Sequence, residues 1–428
     1  MSLFSSLYVG TSGLQASSQE LSVIGDNIAN ASTIGFKGSR LAFEDTLAQS
    51  LIGGSGQVGI GSRVQAVQRL LTQGSLLGTG NATDLALQGP GFFLVKGVQG
   101  GVAGQYYTRA GQFTLDKEGC LATLDGLRVQ GFQADPSGRI TSVLGDLVLG
   151  EASSAPLATS KASIQANLQS DATILDEDFD LTRPTETSNF STAVTVYDSI
   201  GKAHQVDIFF KRTDEGSWEG HALTDGGGLE GGTAGLAEEV GSGTLSFDSD
   251  GKLLSYDGSV VLNPLGATGP QEVDFNFGDA LADGGTGLGG ITSFASTSAT
   301  TFQSQNGHAA GTLASVNVDS EGNVIGTFTN GQTRNLGQVA VADFPAADQL
   351  ERVGGNLFNA VPAAGEPTIG IAGQGGRGAV VAGALEASNV DLAQEFVQMI
   401  SAQRNFQANS KTITTADQLL SELIALKR

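Results

Sequence analysis

Ser388-Asn389-Val390-Asp391-Leu392 opens the stretch that decides the fold, because from there to Arg428 the chain contains neither proline nor glycine. Ser388 reads as a helix N-cap with an acid three residues on at Asp391, a variant of the capping box. Beyond it Leu392, Met399, Phe406, Ile413 and Leu420 recur at a spacing of seven, with Phe396, Leu423 and Ile424 adding offset contacts. A sevenfold apolar repeat keeps one seam toward a partner helix, which is the coiled-coil condition. The spacing predicts a helix of about 38 residues, ~57 Å long at 1.5 Å per residue.

The other end of the chain mirrors this pattern with Leu7, Leu14, Leu21 and Ile28. Gly10, Gly13 and Gly25 interrupt it, each costing ~1 kcal/mol of helix propensity relative to alanine. They sit among Ser5, Ser6, Thr11, Ser12, Ser17 and Ser18, so the surface beside the leucines is small enough for another helix to come close. Such a helix needs partners to persist. Ordinary amphipathic helices on a globular core would share the pattern, but these seams occupy opposite ends of the chain and belong to no longer helical domain. They are expected to pair in one coiled-coil domain of residues 1–30 plus 384–428 that serves assembly.

Between the ends the chain reads as β. Five turns share Asp-x-x-Gly: Asp116–Gly119, Asp135–Gly138, Asp198–Gly201, Asp248–Gly251 and Asp319–Gly322. Aspartate starts a turn by accepting from its own backbone and glycine exits it at positive φ, so each predicts a hairpin. Asn330-Gly331 reads as a sixth, of the two-residue type. Gly35, Gly38, Gly53, Gly54, Gly56, Gly59 and Gly61 mark an irregular connector. The expected organisation is a multidomain α+β chain in which the terminal helical domain carries nested, mainly antiparallel all-β domains. An irregular connector covers 31–75 plus 370–383, a first β domain covers 76–150 plus 308–369, and an acidic outer β domain covers 151–307.

Charge narrows the function. The chain has 428 residues with 22 Lys+Arg against 44 Asp+Glu, a formal −22. That argues against nucleic acid or an anionic membrane surface as partner, since both require a basic footprint. Between Asp171 and Asp283 stand 22 acids and 5 bases, so this segment carries −17 of the total. Glycine supplies 62 residues, near twice its usual share of ~7%, without a collagen period. The single cysteine, Cys120, rules out an internal disulfide framework and a multi-cysteine zinc site. No stretch approaches the ~18 apolar residues of a membrane span. MSLFSSLYVG lacks the basic and apolar regions of a cleavable signal peptide, so export without cleavage is expected if the protein leaves the cell.

Candidate chemistry is sparse. Gly373-Gln-Gly375-Gly376-Arg-Gly378 fits a dinucleotide fingerprint, but only 50 residues follow and they lack βαβ repeats, so a flexible joint is expected there. Asp176-Glu177-Asp178 with Asp180, and Asp248-Ser-Asp250-Gly251, lack the distal glutamate of an EF-hand and read as solvated turns. His308 reads as a surface or turn residue and Cys120 as a small strand residue. No catalytic, cofactor-binding or metal-binding residue is assigned, and the chain is not expected to be an enzyme.

Certain segments carry a resemblance. Asn27-Ile-Ala-Asn30-Ala-Ser-Thr33-Ile-Gly35-Phe36-Lys37 resembles the N-terminal signature of the bacterial flagellar axial proteins, the rod and hook subunits. Gly383 to Leu392, with Ser388, Asn389, Val390 and Asp391, continuing through Gln403–Asn409, resembles the second signature of that family. Gly89-Pro-Gly91-Phe92-Phe93-Leu94-Val95 and Tyr107-Thr-Arg109-Ala-Gly111-Gln-Phe113 resemble its β-domain motifs, and Gly326–Ala340 resembles the re-entry into that domain. An inserted region of about 155 residues resembles hook-type members rather than the shorter distal-rod type.

The resemblance implies a structural subunit that polymerises into a flexible curved tube, a universal joint passing motor torque to the filament. A distal-rod-like subunit is the alternative. It implies terminal helices lining an inner channel, with β domains outside them. The Gly-rich stretches 53–61 and 373–378 would serve as joints. The implied partners are other copies in a helical tube, the distal rod, hook cap and hook–filament junction proteins, and the flagellar type III export apparatus. The assembly seam would comprise Leu7, Leu14, Leu21, Ile28, Leu392, Phe396, Met399, Phe406, Ile413 and Leu420.

Overall fold

The computed structural model describes residues 3–47, 59–150 and 152–426. The side chains of Leu423 and Ile424, and glycines 53, 54 and 56, lie outside the described part. The chain is mostly β with a helix at each end, α1 (Leu3–Ala29) and α2 (Leu392–Leu426).

The start of α2 corrects the expected cap. Asp391, not Ser388, is the capping residue: its Oδ1 accepts from the N–H groups of Ala393 at 2.8 Å and Gln394 at 3.2 Å. Asn389 is engaged elsewhere, and Ser388 Oγ accepts only from Val390 N at 3.3 Å. The expected close approach of the helices occurs at α1's glycines. A Cβ added at Gly10 would stand 2.8 Å from Ile413 Cγ1, and one at Gly13 only 2.5 Å from Asn409 Nδ2.

The described part of the connector is not irregular. Ser39–Leu47 and Gly59–Arg69 form an antiparallel ribbon whose register slips between Ala42/Phe43 and Asp45/Leu47. Alternating polar residues and two bulges hid these strands behind the glycine count. Further on, Leu76–Gly78 pairs with Ala384–Glu386 and Leu85–Gln88 with Ala379–Ala382, so the outgoing and returning chain run side by side.

Contacts divide the chain into two units, Met1–Ala152 with Ala314–Thr327 and Thr333–Arg428, and Ser153–Leu313 with Phe328–Gln332. The second unit therefore takes in the loop tip 328–332 that the sequence assigns to the first β domain. In the first unit, Phe92–Gln99 pairs with Val102–Thr108, Arg128–Ala134 and Thr333–Asp343. Its residues alternate between two cores. Phe93 and Val95 join Leu85, Phe113, Leu121 and Val341, whereas Phe92 and Leu94 join Tyr107, Phe344 and Phe358. A strand covered on both faces reads as a continuous apolar run, which is why Phe92–Val95 lacks polar alternation.

The second unit is one eight-stranded sheet, antiparallel except where residues 161–163 run parallel to 274–276. The sheet curls so that Thr300 Oγ1 on its last strand donates to Thr192 Oγ1 on its first at 2.9 Å. Trp218, Phe210, Ile164 and Ile291 fill its interior.

All five Asp-x-x-Gly turns close as expected. In each, the glycine N–H donates to the aspartate carbonyl at 2.9–3.0 Å and the glycine has φ between 73° and 85°. Asn330-Gly331 takes this same longer form rather than the two-residue one. Gly331 N donates to Phe328 O at 2.9 Å, and Asn330 has no positive φ, which a two-residue type I′ turn would require. The Gly373–Gly378 motif is likewise corrected. It joins two strands, Thr368–Ile371 and Ala379–Ala382, with no helix after it. Gly373 N donates to Gly378 O, Gly378 N to Pro90 O and Arg377 Nε to Ile371 O, so the loop is tied down rather than a joint.

Candidate assembly site

Three distant pieces of chain meet at one buried carboxylate. Glu386, fully enclosed on the short strand before α2, takes Lys37 Nζ at 2.6 Å on one oxygen and Arg109 Nη1 at 3.1 Å on the other. Gly74 N also donates to Oε1 at 3.0 Å, while the Glu386 carbonyl accepts from Gly35 N at 2.7 Å. Lys37 reaches Thr72 O at 2.8 Å and Arg109 reaches Gly89 O at 2.7 Å. Burial pushes the pKa values of both Lys37 and Arg109 down, and Glu386 opposes that shift.

Asn389 makes a second tie. Its Oδ1 accepts from Gly38 N at 2.8 Å, and its Nδ2 donates to Leu70 O at 2.8 Å and Thr72 O at 3.0 Å. Asn27 makes a third by exchanging bonds with the Ser39 backbone at 2.8 and 2.9 Å and donating to Glu395 Oε1 at 3.1 Å. Thus the end of α1, the ribbon and the start of α2 are knotted to the first β unit.

The remaining motif residues serve the same knot. Asn30 Nδ2 donates to Asp26 O at 2.9 Å, and Thr33 Oγ1 donates to Asn30 Oδ1 at 3.2 Å, closing the turn after α1. Phe36 is buried under the Arg352 guanidinium, 4.9 Å from its ring centre. Arg352 also pairs with Asp26 at 3.0 Å. Val390 Cγ2 packs over Gly38. Gly35 has φ +70°, and a Cβ there would lie 2.5 Å from Ala110 N. Gly35→Ala is therefore expected to cost at least ~2 kcal/mol, combining a left-handed backbone with a main-chain clash. Urea unfolding of the two proteins checks it.

The helical heptads lie differently from expectation. On α1 the buried sevenfold row is Gly10, Ser17 and Ile24, three residues beyond Leu7, Leu14 and Leu21, which are half-buried. On α2 the row displaced by three is Glu395, Ala402, Asn409 and Ala416, of which Ala402 and Ala416 are buried and Glu395 and Asn409 half-buried. The Leu392–Leu420 row splits along its length. Leu392 and Phe406 are exposed, Met399, Ile413 and Leu420 are half-buried, and Phe396 and Ile400 stay about half exposed. The chain's own helix pair is closed mainly by small and polar residues with Ile24 and Ile413, while Leu392, Phe396, Ile400 and Phe406 stay exposed.

Glu386, Arg109 and Glu395 escaped the sequence-based list of site residues. The available signal was a charged residue closing an apolar strand, Ala384-Leu385-Glu386, and an arginine beside buried Tyr107.

Family models match most of this chain. Residues 7–37 match the flagella basal body rod protein model, and 86–175 match the flagellar hook protein FlgE/F/G D1 domain. Residues 167–308 match the flagellar basal body protein FlaE D2 domain, and 381–426 the flagellar basal body rod FlgEFG protein C-terminal model. The flagellar hook protein FlgE of Salmonella typhimurium is 33% identical over 423 residues, covering 97% of this chain and 98% of its own. That of Borreliella burgdorferi is 34% identical over 462 residues, covering 99% of each. The crystal structure of Helicobacter pylori flagellar hook protein FlgE2 aligns with 71% of this chain and 98% of its own at 14% identity and a TM-score of 0.47. With identity of this order along nearly its whole length, the chain belongs to the flagellar hook protein family.

Proposed function

We propose that this chain is the repeating subunit of a flagellar hook, polymerising through its terminal helices into a flexible curved tube that carries torque from motor to filament. The observation that carries the reading is the exposed apolar row on α2, Leu392, Phe396, Ile400 and Phe406, on helices whose mutual contact uses other residues. Covering such a row by neighbouring copies is favourable by about 1.5–3 kcal/mol for each large side chain fully buried. The Glu386 knot supports the same reading, because it fixes the terminal helices to the first β unit so that force on one passes to the other.

In this reading the acidic segment 171–283 lies outward, where its charge keeps separate tubes from fusing. Distal rod, hook cap and junction proteins adjoin the ends of the tube, and the chain leaves the cell unfolded through the flagellar export apparatus. Sliding between subunits takes place at intersubunit contacts, since the 373–378 loop is tied down. Sedimentation of purified chain under polymerising conditions tests the reading. Pelletable tubes are expected from the parent and not from chains truncated before Ser388; tubes from the truncated chain would contradict it.

A further inference from the structure

The α1–α2 contact contains a carboxylate with only part of its hydrogen bonding satisfied. Glu395 stands in the first turn of α2, where its Oε1 accepts from Asn27 Nδ2 at 3.1 Å. That same nitrogen also donates to Ser39 O at 2.8 Å, so the bond is shared. Oε2 is enclosed and, among the described residues, has no hydrogen-bond partner. Among the described residues no Lys, Arg or His lies within 4 Å of either oxygen. Lys37 is taken by Glu386, and Arg352 by Asp26.

An enclosed charge lacking partners is costly. Little offsets it here, because among the described residues the buried apolar side chains of the two helices are Ala16, Ala402 and Ala416, with Ile24 as the one large one.

We propose that Glu395 is an electrostatic brake on docking of the terminal helices: ionised, it holds the pair near balance, and neutralised, it lets the pair close. Burial supports this by raising the Glu395 carboxyl above its ordinary value, against the Asn27 bond that lowers it. The titratable groups nearby on the packed elements are Glu20 and Asp26 on α1, Asp391 on α2 itself, Lys37 just before the ribbon, and Arg40 and Arg69 on the ribbon, Arg69 standing opposite Ser39. Glu20 shares the upward shift, through burial. The sign follows. A carboxyl whose docked pKa is raised binds more protons docked than free, so docking strengthens as pH falls from above that pKa toward the ordinary carboxylate value near 4.5. The docked-to-free ratio can rise at most about tenfold per pH unit for each proton taken up. This geometry belongs to a single chain, so its test needs no polymer and stands apart from the hook reading.

The experiment is hydrogen exchange on the full-length monomer, comparing protection of residues 7–28 and 395–420 at pH 7.5 and 5.5 after correction for intrinsic rates. The parent is expected to gain several-fold protection on acidification. Glu395→Gln and Glu395→Met should both be more protected than the parent at pH 7.5 and respond less to pH. Methionine needs no partner at the Oε2 position, so it serves where the glutamine amide is itself poorly tolerated. Protection at pH 7.5 at or below the parent's in both variants would overturn the proposal. So would an acid response that survives both and disappears in Glu20→Gln.

Discussion

Glu386→Ala is expected to lower the stability of the first unit by about 3–5 kcal/mol, the usual cost of removing one partner from a buried ion pair. The magnitude comes from what is left behind. Lys37 and Arg109 have side chains 1% and 5% exposed, and without Glu386 two cations would share a desolvated site with only carbonyl acceptors. Burial already depresses both their pKa values, and Lys37 would meet the loss by giving up its proton. Gly74 N would lose its acceptor as well. The double variant Lys37→Met with Glu386→Gln should lose less than the sum of the two singles, because Glu386→Gln alone strands two cations whereas the double strands only Arg109. Urea unfolding followed by circular dichroism reads the loss. Fluorescence of Trp218, the only tryptophan and buried in the second unit, should keep its own transition. A loss below ~1 kcal/mol, or additive singles, would mean that the three groups do not act as a knot.

Phe396→Asp and Phe406→Asp should abolish polymerisation while leaving the monomer folded. Both side chains are exposed in the single chain, 51% and 39%, so a carboxylate there stays solvated and costs the monomer little. In a tube, the same carboxylate would be buried against another copy without a partner. Losing the apolar contact and burying a charge together exceed 4 kcal/mol per contact by any reasonable count. That is about a thousandfold in association constant. Sedimentation measures the critical concentration for polymer formation, and circular dichroism of the monomers checks the fold. Tubes forming at the parent's concentration from either variant would remove this row from assembly. Changes in the half-buried Ile413 and Leu420 should instead disturb the monomer's own helix pair.

Local chemistry made much of this legible in the sequence. Asp-x-x-Gly encodes a complete turn within five residues, and all five sites formed it. The long proline- and glycine-free run after Asp391 likewise encodes α2. What escaped was non-local. Lys37, Arg109 and Glu386 meet across separations of 277 and 349 residues, and no periodicity links them. The cap moved from Ser388 to Asp391 because Asn389 is needed to hold Gly38, Leu70 and Thr72, which no window around 388 could reveal. Within the single chain the buried rows stand three residues from the large apolar ones. Large apolar residues mark a sticky face, but two helices of one chain close most tightly where residues are small, at Gly10 and Gly13. The ribbon of Ser39–Leu47 and Gly59–Arg69 escaped because glycines and bulges break the alternation that marks a strand.

Immunogold electron microscopy of purified basal bodies, with antibodies raised against residues 171–283, tests the central claim most directly. Label along the curved segment outside the envelope is the predicted result, and it would place the acidic unit on the outer surface of a hook. Label confined to the straight rod, or absent from the organelle, would contradict the account.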